Sequence, residues 1–455
     1  MRRAILWVLT SLAVIAPIGA MVVRVHDGRA TSRLLAEGLS LIDAPIERGV
    51  DPPTTDLVRA QGIFERAWRG DTASDEGRAA RALWHVAQAT LDLDRGELVL
   101  AHEEADTAAH LVPGEPHARL IEARLALRRG DRASAETQLR ALAARGARSV
   151  PPGVTSRAML LRVDLLLDTE RADDALALAE ALDRDHPLVA SVKNRLGLAR
   201  AAVGDRAGAR EAYERAVSLD PRHDPAMVNL ARMSRERGDL AGARTLLERS
   251  LAVAPDSPEV WLAYGVVLGD LHADTARHAL VRAGELAPDD PAAWVAQGDL
   301  DLADGNIEGA AESFRQALAR DENHATARTN MGVALARLGR RDAARSAFEE
   351  ATRRAPHQGE AWNGLGAMRL AAGDADGAIG PLEQASALLP GDPNPSLNLG
   401  RAFERLQRFD DAVRAFREAL RRAPDNATAA EHLGRLAPAP LRARTPARQR
   451  HLARI

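Results

Sequence analysis

The apolar and small residues of this chain follow a pattern that recurs about every 34 residues. In a typical unit, Ala412 is followed four residues later by Phe416 and three residues after that by Ala419. Spacings of four and three place side chains on one face of an α-helix, so the second half of each unit is predicted to be an amphipathic helix. The first half also has helical spacing, as in Trp362 four residues before Gly366. Each unit is therefore predicted to be a pair of helices.

The boundaries of the units carry residues that end and begin helices. A proline, which cannot continue a helix, closes most units, at Pro187, Pro221, Pro255, Pro288, Pro356, Pro390 and Pro424. Gly-Asp pairs such as Gly204-Asp205 separate the two halves of a unit, because glycine suits the left-handed residue after one helix and Asp suits the N-cap of the next. A fixed period of this length predicts an all-α solenoid of stacked antiparallel helix pairs.

These motifs resemble the tetratricopeptide repeat family. The family pattern is Trp-x-x-Leu-Gly-x-x-Tyr, then Ala-x-x-x-Phe-x-x-Ala and a final Pro. Residues that match it are Trp362, Leu365, Gly366, Ala412, Phe416, Ala419 and Pro424. The resemblance covers about three quarters of the chain, about ten repeats, and implies a right-handed superhelix of helix pairs.

The predicted organisation has six parts. In chain order they are an N-terminal segment (1–30), an irregular helical lead-in with a degenerate repeat (31–81), divergent repeats (82–189), seven well-matched repeats (190–426), a capping helix (427–436) and a basic, disordered tail (437–455). The lead-in is predicted to be irregular because Pro45, Pro52 and Pro53 interrupt the expected first helix. Residues 55–70 match only a second helix.

The N-terminal segment contains an uncharged stretch, residues 4–23, between Arg2-Arg3 and Arg24. Twenty helical residues rise about 30 Å, which is the thickness of a bilayer core. The stretch is predicted to be a retained single-pass transmembrane helix, with a cleaved signal peptide and a buried core helix as alternatives. If the N-terminal Arg pair stays inside, the repeats lie on the extracytoplasmic, periplasmic side, and signal cleavage would leave a secreted periplasmic protein.

Composition narrows the chemistry that the chain can perform. The sequence has no cysteine, which excludes disulfides, thiol catalysis and Cys-ligated metals. The single lysine, Lys193, is not in a phosphate-binding loop motif. Residues 31–436 are acidic overall, so a nucleic-acid partner is not expected. Residues 437–455 hold five Arg and no acidic residue; the tail is either a disordered end or a contact for anionic lipid, polysaccharide or an acidic partner.

No motif in the sequence predicts a catalytic, cofactor or metal site. His102 and His110 share a predicted helix, but the zinc signature His-Glu-x-x-His is absent and packed or solvated histidines are the expected reading. Gly364-x-Gly366 is a fragment of a dinucleotide motif inside a repeat helix, so it is interpreted as a packing feature. The chain is therefore expected not to be an enzyme and to need no cofactor.

The resemblance implies that the inner faces of the first helices form a concave groove that binds peptides. The candidate groove residues are Asn194, Asn229, Arg232, Arg235, Asn330, Arg337, Asn363, Asn398, Arg401 and Arg405. Asn side chains can pair with an extended peptide backbone, and Arg can bind a carboxylate with two donors. A solvated helix face is the alternative for each of them. The paired Lys and Asn of the family's carboxylate clamp are not present; Lys193-Asn194 is the only fragment of it.

The functional hypothesis is a non-enzymatic, membrane-tethered scaffold that binds protein or peptide partners in the groove, within a cell-envelope assembly. Two alternatives remain open. The groove could bind a polysaccharide or another polymer, or the chain could be an enzyme with an unrecognised site in residues 31–155.

Overall fold

A computed structural model describes residues 29–47, 52–144, 150–272 and 275–436. Every regular element in these ranges is an α-helix, as the periodicity predicts. The chain divides into two units, Met1–Val253 and Ala254–Ile455, and each is described by itself.

The first unit has twelve described helices. They are α1 (Arg29–Glu47), α2 (Thr54–Gly70), α3 (Asp75–Asp94), α4 (Leu98–Leu111), α5 (Pro116–Arg128), α6 (Arg132–Ala144), α7 (Pro152–Asp168), α8 (Ala172–Asp185), α9 (Ala190–Ala202), α10 (Arg206–Leu219), α11 (Asp224–Glu236) and α12 (Leu240–Val253). Consecutive helices pack against each other, and alternate helices α3, α5, α7, α9 and α11, the first helices of their pairs, also pack against the next in the series.

The second unit has eleven described helices. They are α13 (Pro258–Asp270), α14 (Ala276–Leu286), α15 (Ala292–Asp304), α16 (Ile307–Arg320), α17 (Ala325–Arg337), α18 (Arg341–Arg354), α19 (Gly359–Ala371), α20 (Ala375–Leu388), α21 (Asn394–Arg405), α22 (Phe409–Arg422) and α23 (Ala427–Leu436). The packing follows the same scheme, with α13, α15, α17, α19 and α21 as first helices. Helix α23 packs against α22 and buries Ala429.

The two helices of a pair are held together by a glycine that faces a large side chain. A Cβ atom placed on Gly298 would lie 2.5 Å from the ring of Phe314, and one on Gly400 would lie 2.4 Å from the ring of Phe416. Both Phe rings are fully buried. Any side chain larger than hydrogen would push the helices apart at these contacts, because a packed interior leaves no room for it. The predicted columns of small and large residues are confirmed as the core of the pairs.

The turn between the helices of a pair also follows the sequence prediction. Gly204 has a φ of +85°, a left-handed conformation that glycine adopts without strain. The next residue, Asp205, accepts a hydrogen bond from the backbone N–H of Gly208 at 2.9 Å and thereby caps α10. At this turn, the Gly-Asp pair therefore marks where one helix ends and the next begins.

The start of the described chain differs from the prediction of an irregular lead-in. Helix α1 is a regular first helix that runs through Pro45 to Glu47, and it pairs with α2. Gly38 on α1 faces the ring of Phe64 on α2, as glycine does in the later pairs. The connection between these two helices is longer than in the repeats. The 34-residue period assumes a short connection within each pair. It therefore predicts the first helix of this pair too far along the chain, where Pro52 and Pro53 lie in the connection.

Two predicted segments lie outside the described residues. They are the apolar stretch 4–23, predicted to be a transmembrane helix or signal peptide, and the basic tail 437–455. Within the described ranges, the helices are too short or too polar to cross a bilayer.

Candidate functional site

All ten candidate groove residues lie on first helices. The helices and residues are α9 with Asn194, α11 with Asn229, Arg232 and Arg235, α17 with Asn330 and Arg337, α19 with Asn363, and α21 with Asn398, Arg401 and Arg405. They form one group in the first unit and one in the second. We call Asn194, Asn229 and Arg232 the first-unit patch, and Asn363, Asn398 and Arg401 the second-unit patch.

In the first-unit patch, the amides pair with each other across neighbouring helices. Nδ2 of Asn229 donates to Oδ1 of Asn194 at 2.9 Å. Both side chains are buried, with 7% and 2% of their surface exposed. Arg232 is exposed, and its guanidinium donates to Oδ1 of Asn229. The asparagines therefore connect α9 to α11, and Arg232 presents the patch to solvent.

The second-unit patch repeats this arrangement in the same repeat positions. Nδ2 of Asn398 donates to Oδ1 of Asn363 at 3.0 Å and connects α21 to α19. Arg401 is exposed and forms no hydrogen bond or ion pair with the described residues. Arg405, one turn later, donates to the carbonyl oxygen of Leu370 on α19. In this patch too, the Asn pair joins two first helices, and Arg401 has no partner among the described residues.

The remaining pair of candidates in the second unit also bridges two first helices. Nδ2 of Asn330 donates to Oδ1 of Asp299 at 2.7 Å, and the Arg337 guanidinium donates to the carbonyl oxygen of Leu302 at 3.1 Å. Burial raises the pKa of Asp299, and the hydrogen bond from Asn330 opposes this effect. These contacts tie α17 to α15. The predicted role of the asparagines in binding a peptide backbone stays a prediction, and their amides are already partly used.

A cavity of about 380 Å³ lies beside the second-unit patch. It is lined by Arg401, Glu404, Arg405 and His432. His432, on α23, is hydrogen-bonded through Nδ1 to Oε2 of Glu404 at 2.6 Å, and its ring stacks on Phe416. Glu404 is engaged in this way, and Arg401 at the cavity has no partner among the residues that the structure describes.

One buried charged cluster was not predicted from the sequence. His117, at the start of α5, is 3% exposed and lies between two carboxylates. Its Nε2 is 2.8 Å from Oδ1 of Asp43 on α1, and its Nδ1 is 2.9 Å from Oε1 of Glu115. Burial alone lowers the pKa of His117, but the negative charges of Glu115 and Asp43 outweigh it and hold the pKa well above 6.5. The two carboxylates therefore favour the protonated, cationic form of the buried histidine.

This cluster fixes α1 on the first helices of the unit. Helix α1 packs against α7 and α3 as well as against its partner α2, and the contact between Asp43 and His117 joins it to α5. Oε2 of Glu115 also accepts a hydrogen bond from the backbone N–H of Ala118 and caps α5. Helices α9 and α11, which carry the first-unit patch, do not pack closely against α1 in the described structure.

The described residues show no cluster of His, Asp and Glu that could hold a metal ion. Nδ1 of His102 contacts Oε1 of Glu122, and Nδ1 of His110 contacts the carbonyl oxygen of Asp106, so the two histidines have separate partners. Gly364 faces Phe348 and Gly366 faces Leu382, which confirms the interpretation of these glycines as packing residues.

Comparison with known families gives matches along most of the described chain. The description "Tetratricopeptide repeat" matches residues 200–265 and 369–436, and a second description of the same name matches 268–325, 295–340 and 329–393. The description "Tetratricopeptide repeat-like domain" matches residues 63–230.

The chain also has limited similarity to individual proteins. Over 72 residues the chain is 40% identical to "Probable biofilm formation methyltransferase WspC" of Pseudomonas putida, and this match spans 16% of the chain and 17% of that protein. The crystal structure of yeast Tom70 aligns with a TM-score of 0.46 and 14% identity over 89% of this chain and 94% of that one. The crystal structure of MamA protein aligns with a TM-score of 0.31 and 20% identity over 37% and 92%.

Proposed function

The chain belongs to the tetratricopeptide repeat family, and from this premise we propose that it is a non-enzymatic scaffold that binds peptide segments of partner proteins on the first helices of its two units. The observation that carries the proposal is the recurrence of one arrangement. Arg232 and Arg401 occupy the same repeat position, each follows an interhelical Asn pair, and neither forms an ion pair with the described residues.

An exposed guanidinium held beside a rigid amide pair is suited to binding another molecule. The Asn pairs fix the spacing of neighbouring first helices, and Arg can donate two parallel hydrogen bonds to a carboxylate or single ones to peptide carbonyl groups. Many arginines on the second helices are paired within their own helix, as Arg421 is with Glu418, whereas others, such as Arg249 and Arg417, have no ion pair with a described residue. The two patch arginines differ from all of these because each lies beside an Asn pair that joins two first helices.

The proposal that the chain performs no chemistry is supported by the partners of the buried cluster around His117. Asp43, His117 and Glu115 lie within residues 31–155, where an unrecognised active site was considered. His117 and Glu115 are buried, and every polar atom of the histidine ring already has a carboxylate partner. Such a cluster joins helices and offers no group to a substrate.

The proposal can be tested by photo-crosslinking in cells. A photoreactive amino acid replaces Arg232 or Arg401 in the full chain, and matched controls carry it at Arg249 or Arg417, which are exposed on second helices. We expect the two patch positions to crosslink the same partner protein and the control positions not to do so. Equal crosslinking at all four positions, or a partner captured only by the controls, would contradict the proposal.

We also propose that residues 4–23 tether the scaffold to a membrane, with the repeats on the periplasmic side of the cell envelope. The support is the uncharged length of this stretch and the Arg residues that flank it. Cell fractionation combined with protease accessibility tests this part separately. A tethered chain is retained in the membrane fraction after a high-salt wash, and its repeats are digested from the periplasmic side. A soluble chain that begins near residue 20 would indicate signal cleavage instead.

A further inference from the structure

A cavity of about 250 Å³ opens beside the first-unit patch, between α9, α10 and α11. Its apolar lining residues are Leu198, Ala201 and Met233. Its polar lining residues include Tyr213, Asn229 and Arg232. The cavity is large enough for a single side chain that has both an aliphatic part and a polar end.

Tyr213 supplies the unusual group of this cavity. Its ring packs over Gly197 in the position that Phe314, Phe348 and Phe416 occupy in other repeats, and it is 2% exposed. The core therefore needs only the ring at this position. The hydroxyl forms no hydrogen bond with any described residue, and its oxygen is not among the fully buried polar atoms, so it is open to the cavity that Tyr213 lines. Burial raises the pKa of Tyr213 to about 12, so the hydroxyl stays protonated and can donate.

The guanidinium of Arg232 also has N–H donors that no carboxylate of the described residues uses. Arg232 uses its guanidinium on Oδ1 of Asn229 but pairs with no carboxylate in the described structure. Glu236, the acidic residue that borders the cavity, is already paired with Arg206 at 2.5 Å. The unused groups are therefore an O–H donor and a cationic N–H donor, and a ligand that satisfies both must be an acceptor, best with a negative charge.

We propose that this cavity binds a single carboxylate of a partner peptide, with the hydroxyl of Tyr213 and the guanidinium of Arg232 as donors and with Leu198 and Met233 as apolar lining residues. The carboxylate belongs to an acidic side chain or to a peptide C-terminus, which present the same chemistry. This inference rests on the proposed function and specifies the chemical group of the partner that the first unit binds.

The second-unit patch provides an internal comparison. It has the same Asn pair and the same arginine, but Leu382 stands at the position of Tyr213 and packs over Gly366. The second-unit patch consequently lacks a hydroxyl donor at this position. Selectivity for a carboxylate with two donors is therefore a property of the first unit.

The test uses the full chain and three pools of degenerate heptapeptides. The first pool has glutamate at its centre and capped ends, the second has glutamine there and capped ends, and the third has glutamine and a free C-terminal carboxylate. Binding is measured by fluorescence anisotropy for wild type, Tyr213→Phe and Arg232→Ala. The matched controls are Tyr264→Phe, which changes the other tyrosine of the chain, and Arg249→Ala on α12.

The first and third pools each carry one kind of carboxylate. We expect the pool whose carboxylate enters the cavity to bind wild type at least tenfold more tightly than the capped glutamine pool. Tyr213→Phe should weaken that pool about tenfold, the size of one charge-assisted hydrogen bond, and Arg232→Ala should abolish the preference. Neither control variant should change it. Preference for the first pool identifies an acidic side chain, and preference for the third a C-terminus.

Equal affinity for all three pools, or a carboxylate preference that survives both cavity variants, would overturn the inference and leave the proposed scaffold function intact. Lack of binding by every pool to the folded wild-type chain would overturn the inference and count against the scaffold function as well.

Discussion

Nε2 of His117 lies 2.8 Å from Oδ1 of Asp43, a contact that joins residues 74 positions apart in the chain. Glu115 holds the other ring nitrogen, so the histidine connects α1 to the N-terminus of α5 through a buried ion cluster. A buried pair of this kind is sensitive to the loss of either partner, because the charge that remains has neither water nor a counter-ion. Loss of one partner in this cluster is therefore expected to weaken the start of the array.

Replacing His117 with Ala should destabilise the first unit by about 3 kcal/mol, because Glu115 is left buried without its cation. The measurement is the free energy of unfolding in urea. His102→Ala is the matched control, since His102 contacts Glu122 but has 47% of its side chain exposed, and this change should cost under about 0.5 kcal/mol. Similar losses of unfolding free energy in both variants would show that the buried cluster contributes no more to stability than an exposed contact does.

The stability of the first unit should also depend on pH through the same histidine. The pKa of His117 is raised in the folded state, so its stabilising contribution is complete below the unfolded pKa of about 6.5 and disappears as pH rises through the folded value. Wild type should therefore lose stability as pH rises from about 6.5 into the alkaline range, and His117→Ala should lose less. Urea unfolding curves at several pH values measure the difference. A wild type whose excess stability over the variant grows with pH would contradict the assignment.

Replacing Asn229 with Ala should cost about 1–3 kcal/mol, because the buried amide of Asn194 loses its partner. Asn398→Ala removes the equivalent hydrogen bond in the second unit, where the amides are less buried, and should cost less. Thermal unfolding of the two variants ranks them. The reverse order would show that burial does not set the value of these pairs.

Replacing Gly366 with Val should destabilise the second unit by about 1–3 kcal/mol through overpacking. The added Cβ would lie 2.4 Å from Cγ of Leu382 and would separate the helices of the pair. Gly380 provides a control within the same unit, because nothing lies within 4 Å of a Cβ placed there, and Gly380→Ala should be tolerated. Calorimetry of both variants checks the prediction, and a tolerated Gly366→Val would mean that the packing column is assigned to the wrong residues.

The sequence predicts the features that depend on neighbours along one or two helices. Offsets of three and four residues identify the small and large side chains that meet within a helix pair, such as Gly400 and Phe416. Gly-Asp pairs identify the turns between the two helices. It does not predict α1, because the period assumes a short connection. It also does not predict that Asn229 pairs with Asn194, since that depends on how far successive helix pairs are rotated in the stack. Contacts between distant segments, such as Asp43 with His117, leave no local pattern in the sequence.

One signal for the carboxylate cavity was present in the sequence. Tyr213 stands at a repeat position otherwise occupied by Phe and Leu, so its hydroxyl is a polar group that the packing of the helix pair does not require. What the sequence lacks is the direction of the hydroxyl, which only the packing of α9, α10 and α11 reveals. The positions of Arg232 and Arg401 in first helices were predicted, and whether they bind a partner stays a prediction.

The most direct test of the scaffold account is quantitative retention of the partner protein that photo-crosslinking identifies. The full chain carrying both Arg232→Ala and Arg401→Ala is compared with one carrying Arg249→Ala and Arg417→Ala, after circular dichroism has shown that both are folded. The account predicts at least a tenfold loss of partner affinity in the first variant and no change in the second. Undiminished affinity in the variant that lacks both patch arginines would contradict it.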